Sequence, residues 1–134
     1  MWLRPLVLGV SQDFLVNLLR VRKSGILSRH RHSGSVQATN LKGRWHYLEQ
    51  PWWATEGSHA LEPPGDTHLE APEGVEEIVA LFHVTGAYIY VDAQERPEGA
   101  EDVFSKLKLP RDTMRRFGRA PTMQTSLFVE FGRR

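Results

Sequence analysis

Residues 57–68 read Gly-Ser-His-Ala-Leu-Glu-Pro-Pro-Gly-Asp-Thr-His, and this stretch decides how the fold is interpreted. The Pro-Pro-Gly-Asp run at 63–66 is a strong turn signal, because proline fixes φ and glycine admits unusual backbone angles. Such a turn would swing a separate strand back toward an earlier part of the chain. The sequence therefore predicts that His68, just after the turn, approaches side chains of an earlier strand.

The earlier side chains are a histidine pair. His30 and His32 are separated by one residue on a predicted strand, so both leave the same face, about 6.6 Å apart. Two imidazoles at this spacing can bind one ion at about 2.0–2.2 Å, each through one ring nitrogen. Surface or packing roles also fit an isolated pair. With His68 behind a rigid turn, a shared divalent metal ion becomes the favoured interpretation.

The rest of the chain predicts short strands separated by glycine and proline. They are expected at residues 15–22, 28–32, 36–41, 44–49, 78–84, 87–91 and 125–131. The 36–41 and 44–49 segments are expected to form a hairpin, as are 78–84 and 87–91. Many short strands with turn signals between them favour an all-β sandwich or barrel. Residues 101–117 have a loose helical spacing broken by proline, which predicts one or two short helices outside the barrel.

Length and composition predict one domain over residues 1–134, with its core at about 15–92. The chain is 40% hydrophobic and 25% charged, with a formal net charge of +1. This balance gives no sign of a nucleic-acid or membrane partner, and no apolar stretch approaches the roughly 20 residues that span a bilayer. The absence of cysteine excludes disulfides, thiolate catalysis and cysteine zinc sites. We expect a cytoplasmic protein.

The histidine segments resemble the two motifs of the cupin superfamily. The spacing G-x5-P-x-G-x2-H over residues 57–68 resembles the second motif. The first motif is similar to the segment that contains Gly25, His30, His32 and Gly43. The resemblance implies a single-domain cupin barrel, a double-stranded β-helix or jelly roll, with a metal ion bound by His30, His32 and His68.

Two positions depart from the cupin motifs. Gln37 stands where the first motif usually has a glutamate, and Pro72 stands where the second usually ends in asparagine. The three-histidine set is therefore implied, while the fourth ligand is open. Glu62 and Asp66 are interpreted as residues that serve the turn, with support of the His68 ring as the alternative role.

A narrower resemblance covers roughly residues 25–107. The segments at 29–32, 43–49, 62–68 and 90–92 look like the 2,4'-dihydroxyacetophenone dioxygenase family, which is similar to the acetylacetone-cleaving dioxygenases. This implies cleavage of a carbon–carbon bond of a hydroxyketone or diketone by O2, with Fe(II) and no organic cofactor. Zinc, manganese or nickel also suit such ligands. The resemblance further suggests Glu49 as the catalytic carboxylate, either a fourth metal ligand or a base.

Large side chains near the predicted barrel interior are candidate substrate contacts: Trp45, Tyr47, Trp52 and His83. Barrel filling explains the aromatic residues equally well. His83 also suits a hydrogen-bonded core position. His46 and His59 are interpreted as surface residues.

Two other functions are compatible with the same residues. A cupin isomerase or lyase would use the metal without O2, and a zinc-binding regulatory cupin of the anti-sigma-factor type would act through a partner protein. The expected partners of the favoured enzyme are a small-molecule substrate and O2. Because cupins commonly assemble through sheet edges, the resemblance also implies a homodimer.

Overall fold

The structure is a computed structural model that describes residues 2–108 of the chain. Ten strands follow one another: β1 (Trp2–Gly9), β2 (Phe14–Val21), β3 (Gly25–His32), β4 (Val36–Lys42), β5 (His46–Tyr47), β6 (His59–Glu62), β7 (Gly65–Ala71), β8 (Ile78–Thr85), β9 (Tyr88–Val91) and β10 (Pro97–Glu101). A short 3-10 helix (Val10–Gln12) follows β1, and helix α1 (Val103–Leu107) follows β10.

The strands form two five-stranded antiparallel sheets. Their orders are β1-β2-β8-β4-β6 in the first sheet and β10-β9-β3-β7-β5 in the second. The chain repeatedly passes from one sheet to the other. As a result, most strands that are neighbours in a sheet are not consecutive in the sequence. This is the arrangement of a double-stranded β-helix, and the expected all-β, single-domain cupin barrel is confirmed.

The core lies between the sheets, where alternate residues of each strand point inward. Strand β8 shows the pattern throughout: Ile78, Ala80, Phe82 and Val84 are buried, while the residues between them are half-buried. Strand β2 alternates in the same way. The β-branched and aromatic residues of these strands suit a sheet with one buried face.

Both expected hairpins are wrong. Strand β4 pairs with β6 and β8, whereas β5 pairs with β7 in the other sheet. Likewise β8 pairs with β2 and β4, whereas β9 pairs with β3 and β10. The short glycine-containing turns between these strands connect the two sheets and do not close hairpins. Turn residues alone do not distinguish the two cases.

The ordered structure extends beyond the expected core of 15–92. Residues 2–9 form edge strand β1, which tolerates Pro5 because proline is acceptable at a sheet edge. Helix α1 lies within the expected helical segment and begins with a capping box between Asp102 and Ser105. The rest of that segment and the expected strand at 125–131 lie outside the described residues. Within 2–108, no helix is long and apolar enough to cross a membrane.

Candidate metal centre

His30 and His32 lie side by side on the inward face of β3. Their Nε2 atoms are 3.0 Å apart, and their rings meet at 80° with centroids 4.5 Å apart. Both side chains are buried, with 8% and 4% of their surface exposed. Two ligands on adjacent positions of one ion, each at about 2.1 Å, would have their nitrogens about 3 Å apart. The pair thus has the geometry of two ligands for one ion.

Both imidazoles are held in the neutral form that binds metals. Burial lowers the pKa of His30 to about 4, with a further contribution from His68. Burial lowers the pKa of His32 to about 3, with a further contribution from His30. Ser28 Oγ lies 2.8 Å from His30 Nδ1, so it can fix the tautomer that leaves Nε2 available. Thr67 Oγ1 lies 3.1 Å from that Nε2.

Glu62 is a buried carboxylate beside the pair. It ends β6 in the opposite sheet, and its Oε2 lies 3.7 Å from His32 Nε2. Neither carboxylate oxygen makes a hydrogen bond of ordinary length, and the Tyr47 hydroxyl is the polar group that interacts with them. Burial raises the pKa of Glu62 to about 8, while the nearby Tyr47 hydroxyl opposes the shift. The sequence alone predicts that Glu62 serves the turn. The pairing of β6 with β4 is what brings its side chain into the interior.

A cavity of about 90 Å³ lies next to the two histidines. Its walls are mainly apolar and aromatic, and they include Tyr47, Leu69, Phe82, Val84, Tyr88 and Tyr90. A second pocket of about 120 Å³ lies beyond Tyr47 and reaches Glu62 and Thr67. Burial and the Glu62 carboxylate hold the pKa of Tyr47 well above its usual range, so this phenol stays protonated.

His68 and Glu49 contact each other but do not join the pair. The register of β3 and β7 places Thr67 opposite His30 and His68 opposite Arg29, so His68 lies on the outer face. There the Glu49 carboxylate accepts a 3.0 Å hydrogen bond from the His68 amide and also contacts the ring Nδ1. Across residues 2–108, no three histidine, aspartate or glutamate side chains form a ready metal-ligand set.

The expected convergence of His30, His32 and His68 is therefore not found. The physical reason is strand parity, since Thr67 is the inward residue of β7 at this level. Glu49 lies in a turn after β5, on the same outer side as His68. The roles of His68 and Glu49 as metal ligands, and of Glu49 as a catalytic residue, stay predictions.

Among the four expected substrate contacts, Tyr47 alone lines the cavity beside the histidines. Trp45 is buried behind it, with ring centroids 5.2 Å apart, and Trp52 lines the second pocket. His83 lies on the outer face of β8, stacked on Phe14 with centroids 4.8 Å apart. Outward parity explains its position, because Phe82 and Val84 are the inward residues.

The position of the missing motif glutamate also faces outward. Gln37 is exposed on β4 and pairs in register with His83, while Val36 and Ala38 point into the core. A glutamate there would not reach the histidine pair in this arrangement. Glu62 on the neighbouring strand is the carboxylate that does lie beside His32.

A protein-family model described as the ChrR cupin-like domain matches residues 1–89. The chain belongs to this family. Comparison with curated proteins gives no match. The matched residues contain nearly all of the ChrR cupin-like barrel, including the histidine pair, Glu62 and Tyr47.

Solved structures have the same fold at low sequence identity. An RmlC-like cupin of Ralstonia eutropha JMP134 has a TM-score of 0.74 at 21% identity, covering 89% of this chain and 77% of that chain. Another cupin-like protein of that organism has a TM-score of 0.76 at 21% identity, covering 85% and 72%. The acetylacetone dioxygenase of Acinetobacter johnsonii has a TM-score of 0.69 at 12% identity, covering 78% and 72%.

The interior residues of this ChrR cupin-like domain fit a divalent transition metal. The candidate donors are two neutral imidazoles, with Nε2 atoms 3.0 Å apart, and the Glu62 carboxyl group lies beside them without forming a ready three-ligand set. Imidazole and carboxylate together suit iron, zinc, manganese and nickel. His30 and His32 would hold the ion, with Glu62 beside them.

Proposed function

We propose that the chain is a metal-dependent cupin dioxygenase that cleaves a carbon–carbon bond of a small hydroxyketone or diketone with O2. The observation that carries the proposal is the position of the neutral His30–His32 pair in the wall of a mainly apolar cavity. The remote likeness to an acetylacetone dioxygenase supports the choice of reaction. Fe(II), bound there, would supply the activation of O2 and the polarisation of substrate oxygens.

The surrounding side chains have separate roles in this proposal. His30 and His32 bind the metal, and Ser28 orients the His30 ring. Glu62, beside His32, either completes the metal site or accepts the proton of the substrate hydroxyl. The apolar walls reduce the contact of a bound substrate with water, and the protonated Tyr47 presents its hydroxyl toward Glu62.

The size of the cavity favours a small aliphatic substrate. Its volume is about 90 Å³, whereas an apolar cavity of about 150 Å³ is known to accommodate benzene. A four- to five-carbon hydroxyketone or diketone is about the size of benzene and a dihydroxyacetophenone is nearly twice as large, so the small ketones require far less widening of the cavity. We therefore place the small ketones ahead of the aromatic substrate that the family resemblance suggested.

Oxygen consumption tests the proposal. Protein loaded anaerobically with Fe(II) is mixed with 3-hydroxy-2-butanone, acetylacetone or 2,4'-dihydroxyacetophenone, and O2 uptake and acid products are measured. Cleavage of 3-hydroxy-2-butanone by one O2 gives two molecules of acetic acid, which balances all atoms. We expect uptake with a small ketone, its loss in His32→Ala, and normal uptake in His83→Ala, the outer-face control. Ketone conversion without O2 uptake would overturn the proposal in favour of an isomerase or lyase.

A zinc-binding regulatory cupin is the second candidate. It is favoured by the match to the ChrR cupin-like family, which also occurs in regulators that are not enzymes. Two imidazoles and a carboxylate suit zinc as well as iron. Zinc retained through purification without added metal, together with no O2 uptake after iron loading, would favour this candidate.

We also propose that the chain forms a homodimer. Strand β6 is the edge of the first sheet, and its Leu61 side chain is 67% exposed. Sheet edges with exposed apolar residues are sites of association unless they are covered. Light scattering of the purified protein measures the mass directly, and a monomer at micromolar concentration would contradict the proposal.

A further inference from the structure

Two buried polar groups line the cavity without hydrogen-bond partners. They are the side-chain carbonyl of Asn17 and the hydroxyl of Tyr88, on residues that are 3% and 8% exposed. Most buried polar groups in folded proteins do have a partner. An unpartnered pair in the wall of a cavity therefore points to a ligand that supplies the missing hydrogen bonds.

The two groups face each other from opposite sheets. Asn17 belongs to β2 and Tyr88 to β9. The Asn17 side chain interacts with the Tyr88 hydroxyl and opposes the rise of its pKa, but no hydrogen bond of ordinary length joins them. In the second sheet, Tyr88 is the direct neighbour of His32. The Tyr88 ring centroid is 6.2 Å from that of His30 and 6.5 Å from that of His32. A small ligand at the histidine pair is thus within reach of the Tyr88 side chain.

The chemistry of these groups specifies the ligand. Burial holds the pKa of Tyr88 well above its usual range, so its hydroxyl is a hydrogen-bond donor at neutral pH. The Asn17 carbonyl is an acceptor and requires a donor from the ligand. A simple ketone offers no donor, whereas a hydroxyketone offers both a hydroxyl and a carbonyl.

Tyr90 provides an internal contrast in the same cavity. Its hydroxyl already donates a 2.8 Å hydrogen bond to Glu101, which also accepts one from Lys106 Nζ at 2.8 Å. The Tyr90 hydroxyl is therefore occupied within the protein. The Tyr88 hydroxyl makes no hydrogen bond of ordinary length, although Glu101 and Tyr90 also act on its pKa, so it is the more available of the two phenols to a ligand.

We propose that Asn17 and Tyr88 recognise the hydroxyl group of the substrate and so select hydroxyketones over simple ketones. This inference rests on the proposed function, because it takes the cavity beside His30 and His32 as the substrate chamber. It deepens that proposal by naming the substrate class and two specificity-determining residues outside the metal ligands.

Calorimetric binding to the zinc-loaded protein tests the inference, since zinc does not support oxidation. The probes are 3-hydroxy-2-butanone and 2-butanone, which differ by one hydroxyl group. We expect the wild type to bind the hydroxyketone about tenfold more tightly, the typical effect of one hydrogen bond. Tyr88→Phe and Asn17→Leu should each lose this preference, while the matched control Tyr90→Phe should keep it.

Several outcomes overturn the inference. Equal binding of the two probes by the wild type does so, as does an unchanged preference in Tyr88→Phe, which keeps the ring and removes one oxygen. A wild type that binds neither probe also overturns it, whatever the oxygen electrode shows. Failure of the proposed function is recognised separately, because it appears as absent O2 uptake in iron-loaded protein that still distinguishes the two probes.

Discussion

Glu62 has an unfavourable environment for an acidic side chain. Its residue surface is 3% exposed, and neither oxygen makes a hydrogen bond of ordinary length, although the Tyr47 hydroxyl lies nearby. Because burial raises its pKa to about 8, the side chain is mostly protonated at neutral pH in the absence of a cation, and its ionised form is strongly disfavoured there. A cation shared with His32, whose Nε2 is 3.7 Å away, would relieve this cost. The residue thus destabilises the metal-free fold and would favour the metal-bound one.

Glu62→Gln tests this relation because it keeps the shape of the side chain and removes its ability to ionise beside a bound cation. We expect the metal-free variant to melt at the same temperature as the wild type or higher. Its affinity for zinc should fall by about 10–100-fold, which is the usual effect of removing a group that supports a metal ligand. Glu49→Gln, on the outer face, is the control and should leave zinc affinity unchanged. An unchanged affinity in Glu62→Gln would contradict the role given to this residue.

At the scale of single residues, strand parity explains which assignments the sequence could support. His30 and His32 are two apart on one strand, so their common face follows from the sequence alone. The face of His68 depends on how β7 is registered against β3, and a shift of one residue would reverse it. Glu62 became part of the site only through the pairing of β6 with β4. No local pattern encodes either register.

At the scale of elements, the turn after β4 depends on a close backbone approach. Gly43 has φ +74°, and a Cβ atom there would lie 2.3 Å from the carbonyl oxygen of Glu77. Gly57 has a similar φ of +81° but no atom within 4 Å of such a Cβ. Both positions require a left-handed backbone, but only at Gly43 would a side chain also overlap with a neighbouring atom.

Alanine substitutions at these glycines should differ in cost. We expect Gly57→Ala to lower the free energy of unfolding by about 1 kcal/mol, the cost of the left-handed conformation. Gly43→Ala should lower it by about 3 kcal/mol, because the overlap with the Glu77 carbonyl adds to the strain. Urea denaturation measures both values. Equal losses would show that the β4–β5 turn adjusts freely.

Glu77 links three elements through ion pairs on the outer surface. Its carboxylate contacts Arg20, lies 2.8 Å from Lys42 Nζ and lies 3.2 Å from Arg22 Nε. The hydrogen bond from Lys42, followed by that from Arg20, lowers the pKa of Glu77 from 4.5 to about 2. A lowered folded-state pKa means that the ionised form stabilises the fold.

The contribution of Glu77 should therefore depend on pH in a defined direction. It is fully present above the unfolded-state pKa of 4.5 and is lost as pH falls toward about 2. We expect the urea midpoint of Glu77→Gln to be below that of the wild type at pH 6 and equal to it near pH 2. Glu76→Gln, at the exposed neighbouring residue, is the control. A difference that persists unchanged to pH 2 would exclude the ion pairs as its cause.

The elements themselves were easier to predict than their partners. Strands β2, β3, β4 and β8 lie close to their expected positions, since apolar alternation and flanking glycines are local signals. The pairing of β5 with β7 and of β9 with β3 is not local, because a jelly roll joins segments far apart in sequence. The sequence does not predict strand β1, because its buried residues do not alternate regularly along the segment.

At the scale of the whole molecule, the site joins the two sheets. His30 and His32 belong to β3 in the second sheet, whereas Glu62 belongs to β6 at the edge of the first. Histidine ligands in one sheet and a carboxylate in the other place a bound ion across the barrel. Metal binding should therefore stabilise the entire fold, and the thermal unfolding of the domain reports on it.

Zinc at about 100 times its dissociation constant should stabilise the protein by about 2.7 kcal/mol, which raises Tm by roughly 10 °C for a domain of this size. We expect His32→Ala to lose this shift, because it removes an inward ligand. His68→Ala should keep most of it, because His68 lies on the outer face opposite Arg29. Differential scanning calorimetry with and without zinc gives both values. Loss of the shift in His68→Ala would mean that metal binding moves β7 by one residue and turns His68 inward, as the cupin motif implies.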